Sequence, residues 1–310
     1  VASLIMDSLM LQELITLYQQ QACFFYLTIA LVSLAVGSFL NVVIYRLPVM
    51  MQNEWQQDCR LLLEDELPKN QLDANNTETP ATIFNLAVPA STCPKCSSKI
   101  KAWQNIPVIS WLILRGKCAY CKNPISMRYP SIELLTMVAS LTVAAVLGVT
   151  EQTVLYLGVT WALIALIFID IDHMLLPDQI TLPLLWLGLL ASIFGLTIEP
   201  AQAIIGAALG YLSFWSVYWL FKLATGKEGM GYGDFKLMAV FGALLGWQAL
   251  PMIILLSSLV GAVIGITLLS IQGKDKATPI PFGPYIAIAG WVAILWGTEI
   301  SIAYYSLILA

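Results

Sequence analysis

The sequence predicts an all-α polytopic membrane protein of about eight transmembrane helices with a small cytoplasmic insert, and three observations predict it. Apolar residues make up 59% of the 310 positions and charged residues only 11%, where a soluble chain carries roughly 25% charged. That surplus of apolar surface has no place in a water-soluble core but a natural one in a bilayer. Apolar stretches near the length of a membrane span recur at 22–45, 129–149, 153–170, 179–198, 201–221, 235–250, 251–271 and 283–309. Lipid offers the backbone no hydrogen-bond partner, so such stretches are helices. Basic residues, finally, fall on one side. Ten of the 15 Lys and Arg lie between Arg46 and Arg128, and the other five are Lys222, Lys227, Lys236, Lys274 and Lys276. With 46–128 in the cytoplasm, eight spans put all of them there, and the opposite loops carry only Asp7, Glu13, Glu151, Glu199 and Glu299.

Taken in order, residues 1–21 form a periplasmic N-terminal segment. Its only charges are Asp7 and Glu13, so it lacks the basic start of a signal peptide. Residues 22–45 are the first transmembrane helix, 46–128 a cytoplasmic domain, and 129–310 a seven-helix membrane core, which leaves both termini periplasmic. The sixth span is short and glycine-rich, and Pro251 parts it from the seventh. Within the cytoplasmic domain, 50–82 is polar and acidic, with Glu64-Asp65-Glu66 followed by a coil-like run, and reads as a solvated helix and a linker. The net charge of −4 gives no basic field for nucleic acid. No period of 20–50 residues suggests a repeat architecture.

Four of the six cysteines form two knuckles, Cys93-Pro-Lys-Cys96 and Cys118-Ala-Tyr-Cys121, with 21 residues between them. Two thiolates three positions apart supply half of a tetrahedral site, and the second pair completes it. Four sulfurs suit zinc and leave no open position for water, so one structural zinc stapling the insert is expected. A cytoplasmic location argues against disulfides. Cys23 and Cys59 have no partner by spacing and are expected to be inert.

Ionisable residues near membrane depth are functional hypotheses by default. Asp170 closes the third span in FIDIDHMLLPD, and Asp234 opens the sixth in GMGYGDFK, with 63 residues between them. The topology brings both to the same cytoplasmic boundary. Two adjacent carboxylates share a proton, so one serves as acid and the other activates water. Gly231 and Gly233 are expected to let an extended substrate approach and to permit positive φ. Asp172 and Asp178 read as loop acids with capping roles. One histidine, His173, rules out an H-E-x-x-H zinc protease, and no G-x-S-x-G elbow is present. A transporter or channel using the interfacial aspartates is the alternative, although that class favours midplane acids and repeated halves.

Taken together, GSFLNVVIYRLP (37–48), the two knuckles, DIDHMLLPD and GMGYGDFKLM resemble the bacterial type IV prepilin peptidases, the G-x-G-D class of aspartic proteases. The resemblance implies a multi-pass enzyme of the bacterial inner membrane with Asp170 and Asp234 as its catalytic pair. It implies cleavage of the leader from type IV prepilins and type II secretion pseudopilins after a glycine, on the cytoplasmic side. It also implies N-methylation of the new N-terminal residue with S-adenosylmethionine as donor. No residue is thereby tied to the donor: 46–128 lacks the strand–glycine–helix pattern of a Rossmann domain, and GMGYG opens a membrane helix.

Overall fold

The computed structural model describes residues 12–13, 15–64, 84–272 and 281–309. The expected linker beyond Glu64 and the loop carrying Lys274 and Lys276 lie outside the described residues. Among those described, no run of residues forms a named strand, and eight apolar helices fall where the spans were expected. They are α1 (Ala22–Glu64), α3 (Arg128–Leu147), α4 (Glu151–His173), α5 (Asp178–Ile193), α6 (Pro200–Thr225), α7 (Tyr232–Leu245), α8 (Leu250–Gln272) and α9 (Gly283–Leu309), with a short α2 (Ile109–Ile113) between the first two. Six are long and apolar enough to cross a membrane. The other two, α5 and α7, have 16 and 14 residues. The protein is therefore a helical, multi-pass membrane protein. Exposed leucines such as Leu212, Leu220, Leu223, Leu255 and Leu259 along α6 and α8 suit lipid rather than water.

The chain forms two compact units, Leu34–Leu135 and the remainder. The first takes in the second half of α1, the cysteine knuckles, α2 and the start of α3. Polar contacts hold it. Asn41 donates to the carbonyls of Gly37 and Tyr129, both at 3.2 Å. Arg46 is buried and donates to the carbonyls of Asn85 at 2.9 Å and Pro89 at 2.7 Å, with its guanidinium 5.6 Å from the Phe84 ring centre. Glu133, also buried, accepts from the Val108 backbone at 2.7 Å. The helix α1 continues through Pro48 to Glu64, well past the expected end of the first span. The polar residues after Met51 end its apolar surface, not its helical hydrogen bonding.

In the second unit α7 is the central element. Ten of its 14 residues are buried, from Asp234 to Leu244. Its neighbour α6 approaches backbone to backbone: a Cβ on Gly206 would collide with the Gly242 carbonyl, and one on Gly210 would lie 2.6 Å from the Met238 carbonyl oxygen. Small residues four apart let helices meet this closely where lipid gives no hydrophobic drive. Indole hydrogen bonds add to the packing. Trp161 donates to Ser140 at 2.9 Å, joining α4 to α3, and Trp291 donates to Thr160 at 3.0 Å, joining α9 to α4.

Candidate active site and metal centre

Four charged residues are buried among those described: Arg46, Glu133, Asp170 and Asp234. The first two hold the insert, as above. The last two lie in the membrane unit, near enough for the charge of Asp170 to act on Asp234. Asp170 lies in the last turn of α4, which ends at a left-handed Met174 whose N–H returns to the Asp170 carbonyl at 2.8 Å. Asp234 lies in the first turn of α7, where helix N-termini favour acids. Asp170 is 5% exposed and Asp234 6%. A Cβ on Gly231 would lie 3.9 Å from the Asp234 Oδ2, and one on Gly283 2.6 Å from the Asp170 Oδ2. The Asp170 Oδ2 has no protein hydrogen-bond partner among the described residues.

The glycines of the motif differ from expectation. Neither Gly231 nor Gly233 has a positive φ. Gly231 is the extended N-cap of α7, at φ −81° and ψ 149°, a conformation any residue adopts. Gly233 is needed for packing within the protein: a Cβ there would lie 2.7 Å from the Cβ of Leu176. Asp178 also does more than border a loop. Lys236, two residues after Asp234, donates to both of its carboxylate oxygens at 2.6 and 2.7 Å. That pair joins the first turn of α5 to the first turn of α7. His173 is exposed at the end of α4. Sequence reasoning missed Leu176 and Gly283, whose only signal was their place in the apolar LLPD and PFGP segments.

The four knuckle cysteines come together, with all four sulfurs within 4.8 Å of one another. The two knuckles are built alike. Each closes through an isolated bridge, Thr92 with Lys99 and Lys117 with Pro124. Each carries a left-handed residue four positions after its first cysteine, Ser97 at φ 55° and Lys122 at φ 57°. The Cys93 and Cys121 sulfurs are 3.7 Å apart. Tetrahedral zinc with sulfur at about 2.3 Å sets its ligand sulfurs about 3.8 Å apart, so the residues present fit it. Hydrogen bonds from the Ser98 hydroxyl and backbone lower the Cys96 thiol to about 6. Backbone hydrogen bonds at Cys121 and Tyr120 lower Cys118 as well. The Asn123 backbone also favours the Cys121 thiolate, but burial and the three neighbouring sulfurs push that thiol up to about 11. Such a cluster is short of positive charge, and a divalent cation supplies it. Cys23 and Cys59 stand apart, both exposed.

A bundle of apolar helices with two buried aspartates, and a four-sulfur cluster in the other unit, define a class of membrane enzyme, and comparison with known proteins identifies the family. Residues 31–147 match the bacterial peptidase A24 N-terminal domain, and residues 157–266 match the type IV leader peptidase family. The chain belongs to the type IV leader peptidase family. It is 55% identical over 280 residues to a prepilin leader peptidase/N-methyltransferase of Stutzerimonas stutzeri, covering 90% of this chain and 93% of that protein. Proteins of the same description from Aeromonas salmonicida (strain A449) and Pseudomonas aeruginosa are 53% and 52% identical, covering 92% and 90% of this chain and 95% and 93% of their own length. No solved structure matches the chain. Membership of a peptidase family sets the transporter alternative aside.

Proposed function

We propose that this chain cleaves the leader peptide of type IV prepilins and type II secretion pseudopilins with Asp170 and Asp234, at the cytoplasmic face of the bacterial inner membrane, and then N-methylates the exposed N-terminus. The observation that carries the reading is the pair itself: two carboxyl groups, distant in sequence, both buried at the ends of α4 and α7 and near enough for the charge of one to act on the other. Two such groups in an apolar setting hold one proton between them. The ionised partner takes a proton from water as that water adds to the scissile carbonyl carbon, while the protonated partner gives its proton to the carbonyl oxygen. As the C–N bond breaks, the leaving amine takes a proton from one carboxyl and the new acid returns one to the other. The pair ends with the single proton it began with.

The one-sided Lys and Arg distribution supports the cytoplasmic orientation. Cys93, Cys96, Cys118 and Cys121 would hold one structural zinc, which organises the insert and takes no part in hydrolysis. For the second activity S-adenosylmethionine would supply a methyl group activated on sulfonium. Cleavage comes first, because the amine to be methylated exists only once the leader is gone. Among the described residues the strand, glycine loop and helix that cradle such a donor in Rossmann folds are missing, so the methyl-transfer step is assigned no residue here.

The test is cleavage of a synthetic prepilin by purified full-length protein. Asp170→Asn and Asp234→Asn should each lower turnover by at least about 10³-fold, since Asn keeps the shape of Asp but cannot exchange a proton. Methyl transfer to an already mature pilin should survive both changes. Near-normal cleavage by either variant would remove that residue from the mechanism.

A further inference from the structure

The last helix enters the site by a route that begins with Phe282. Its carbonyl accepts from the backbone N–H groups of Tyr285 and Ile286 at 3.1 and 3.3 Å, and its ring packs 6.1 Å from Phe214 and 6.2 Å from Tyr285. Phe282 thus caps α9, and Gly283 is its first residue. The first amides of a helix have no partner within it. Here Tyr285 is already bonded and Pro284 has no N–H, which leaves the Gly283 N–H, on a residue that abuts the Asp170 carboxylate.

The side of Gly283 that faces the site is equally constrained. A Cβ there would lie 2.6 Å from Asp170 Oδ2, the buried oxygen without a protein partner, and 3.1 Å from both Cδ atoms of Leu176. A water donating to that oxygen approaches to about the same 2.5–3.0 Å, so a methyl group would compete with it for space. Leu176 packs in turn on Gly233, one residue before Asp234. Gly283, Leu176 and Gly233 therefore form one packed contact linking the start of α9 and the α4–α5 turn to the first turn of α7.

We propose that Gly283 is a positioning residue of the aspartate pair: its backbone N–H orients Asp170, and its missing side chain keeps open the approach to Oδ2. This rests on the assignment of Asp170 to hydrolysis. It extends the site beyond residue 266, where the match to the leader peptidase family stops.

The experiment compares Gly283→Ala, alone and with Leu176→Ala, against Leu176→Ala and Asp170→Asn, all full-length and assayed with a synthetic prepilin. For Gly283→Ala, kcat should fall on the order of 100-fold with KM within about twofold, because a displaced carboxylate affects reaction more than binding. The arms of the pH profile should move, which loosened packing alone does not cause. Adding Leu176→Ala gives the methyl room on the leucine side only and should not restore turnover. Wild-type kcat and pH profile for Gly283→Ala, or full rescue by Leu176→Ala, would overturn the proposal. If Gly283→Ala does not fold, its thermal midpoint is measured in an Asp170→Ala background. Removing the carboxylate should restore folding, and failure to do so would count equally against the contact. Inactive Asp170→Asn beside a normal Gly283→Ala defeats only the role of Gly283, whereas active Asp170→Asn defeats the aspartate mechanism itself.

Discussion

Burying two carboxyl groups within reach of each other's charge works against stability, so the aspartates should be better catalysts than building blocks. Asp170→Asn and Asp234→Asn each remove one of two neighbouring ionisable groups from a site where both residues are nearly inaccessible, and with it the cost of keeping a charge there. Their thermal unfolding midpoints should be equal to or above that of the unaltered protein. A drop of several degrees in detergent would mean that the carboxylates serve as packing anchors. At this scale the aspartates were legible because an acid beside an apolar span is rare, and because the text around each is distinctive. Gly283 was not legible. Its meaning depends on α9 folding back onto the end of α4, and nothing local in PFGP announces that. The glycines of GMGYGD were expected to permit positive φ and neither has it: Gly233 is small for Leu176, and Gly231 is an ordinary extended N-cap.

Among the elements, the knuckles were the most readable, since their spacing alone determines that four sulfurs can meet. Metal analysis should find about one zinc per chain. Ser at Cys93 or Cys118 should lower it and speed amide exchange across 90–125 more than in the helices, because metal binding and local folding are linked. Full zinc content after both replacements would rule out the four-sulfur site. Arg46 gives a second test of the insert. Lys in its place keeps the charge but loses the fork that reaches the Asn85 and Pro89 carbonyls. Unmet carbonyls should destabilise the segment by about 1–3 kcal/mol, read as faster exchange at 84–89. The Asp178–Lys236 pair is half open to water, with side-chain exposures of 50% and 28%. A double-mutant cycle in stability should therefore give only about 0.2–1 kcal/mol. A coupling of several kcal/mol would mark it as far better shielded. The sequence showed a first span over 22–45 and a solvated helix after residue 50 as separate elements, and what it did not show is that they are one helix, because the polar residues end only its apolar surface.

For the whole molecule, the proposed orientation makes reporter fusions after Glu151 and Glu199 periplasmic and fusions near Asn75 and Lys274 cytoplasmic. A cytoplasmic signal after Glu199 would separate α4 and α7 in depth and remove the basis for a shared site. The positions of the apolar helices, six of those described being long enough to cross a membrane, were legible from hydropathy. The depth at which each is buried was not, because a central helix and a lipid-facing one are equally apolar. The central helix has a consequence for biosynthesis. At about 1.5 Å per residue, the 14 residues of α7 reach about 21 Å, well short of a hydrocarbon layer about 30 Å thick. Alone, α7 should be a poor passenger for the insertion machinery and should settle best against a glycine-bearing neighbour such as α6 that is already in place. Gly283 emerges from the ribosome later still. On the roles proposed for Asp170, Asp234 and Gly283, a nascent chain carries both aspartates well before the residue that positions one of them, so cleavage should begin only after α9 has joined the bundle.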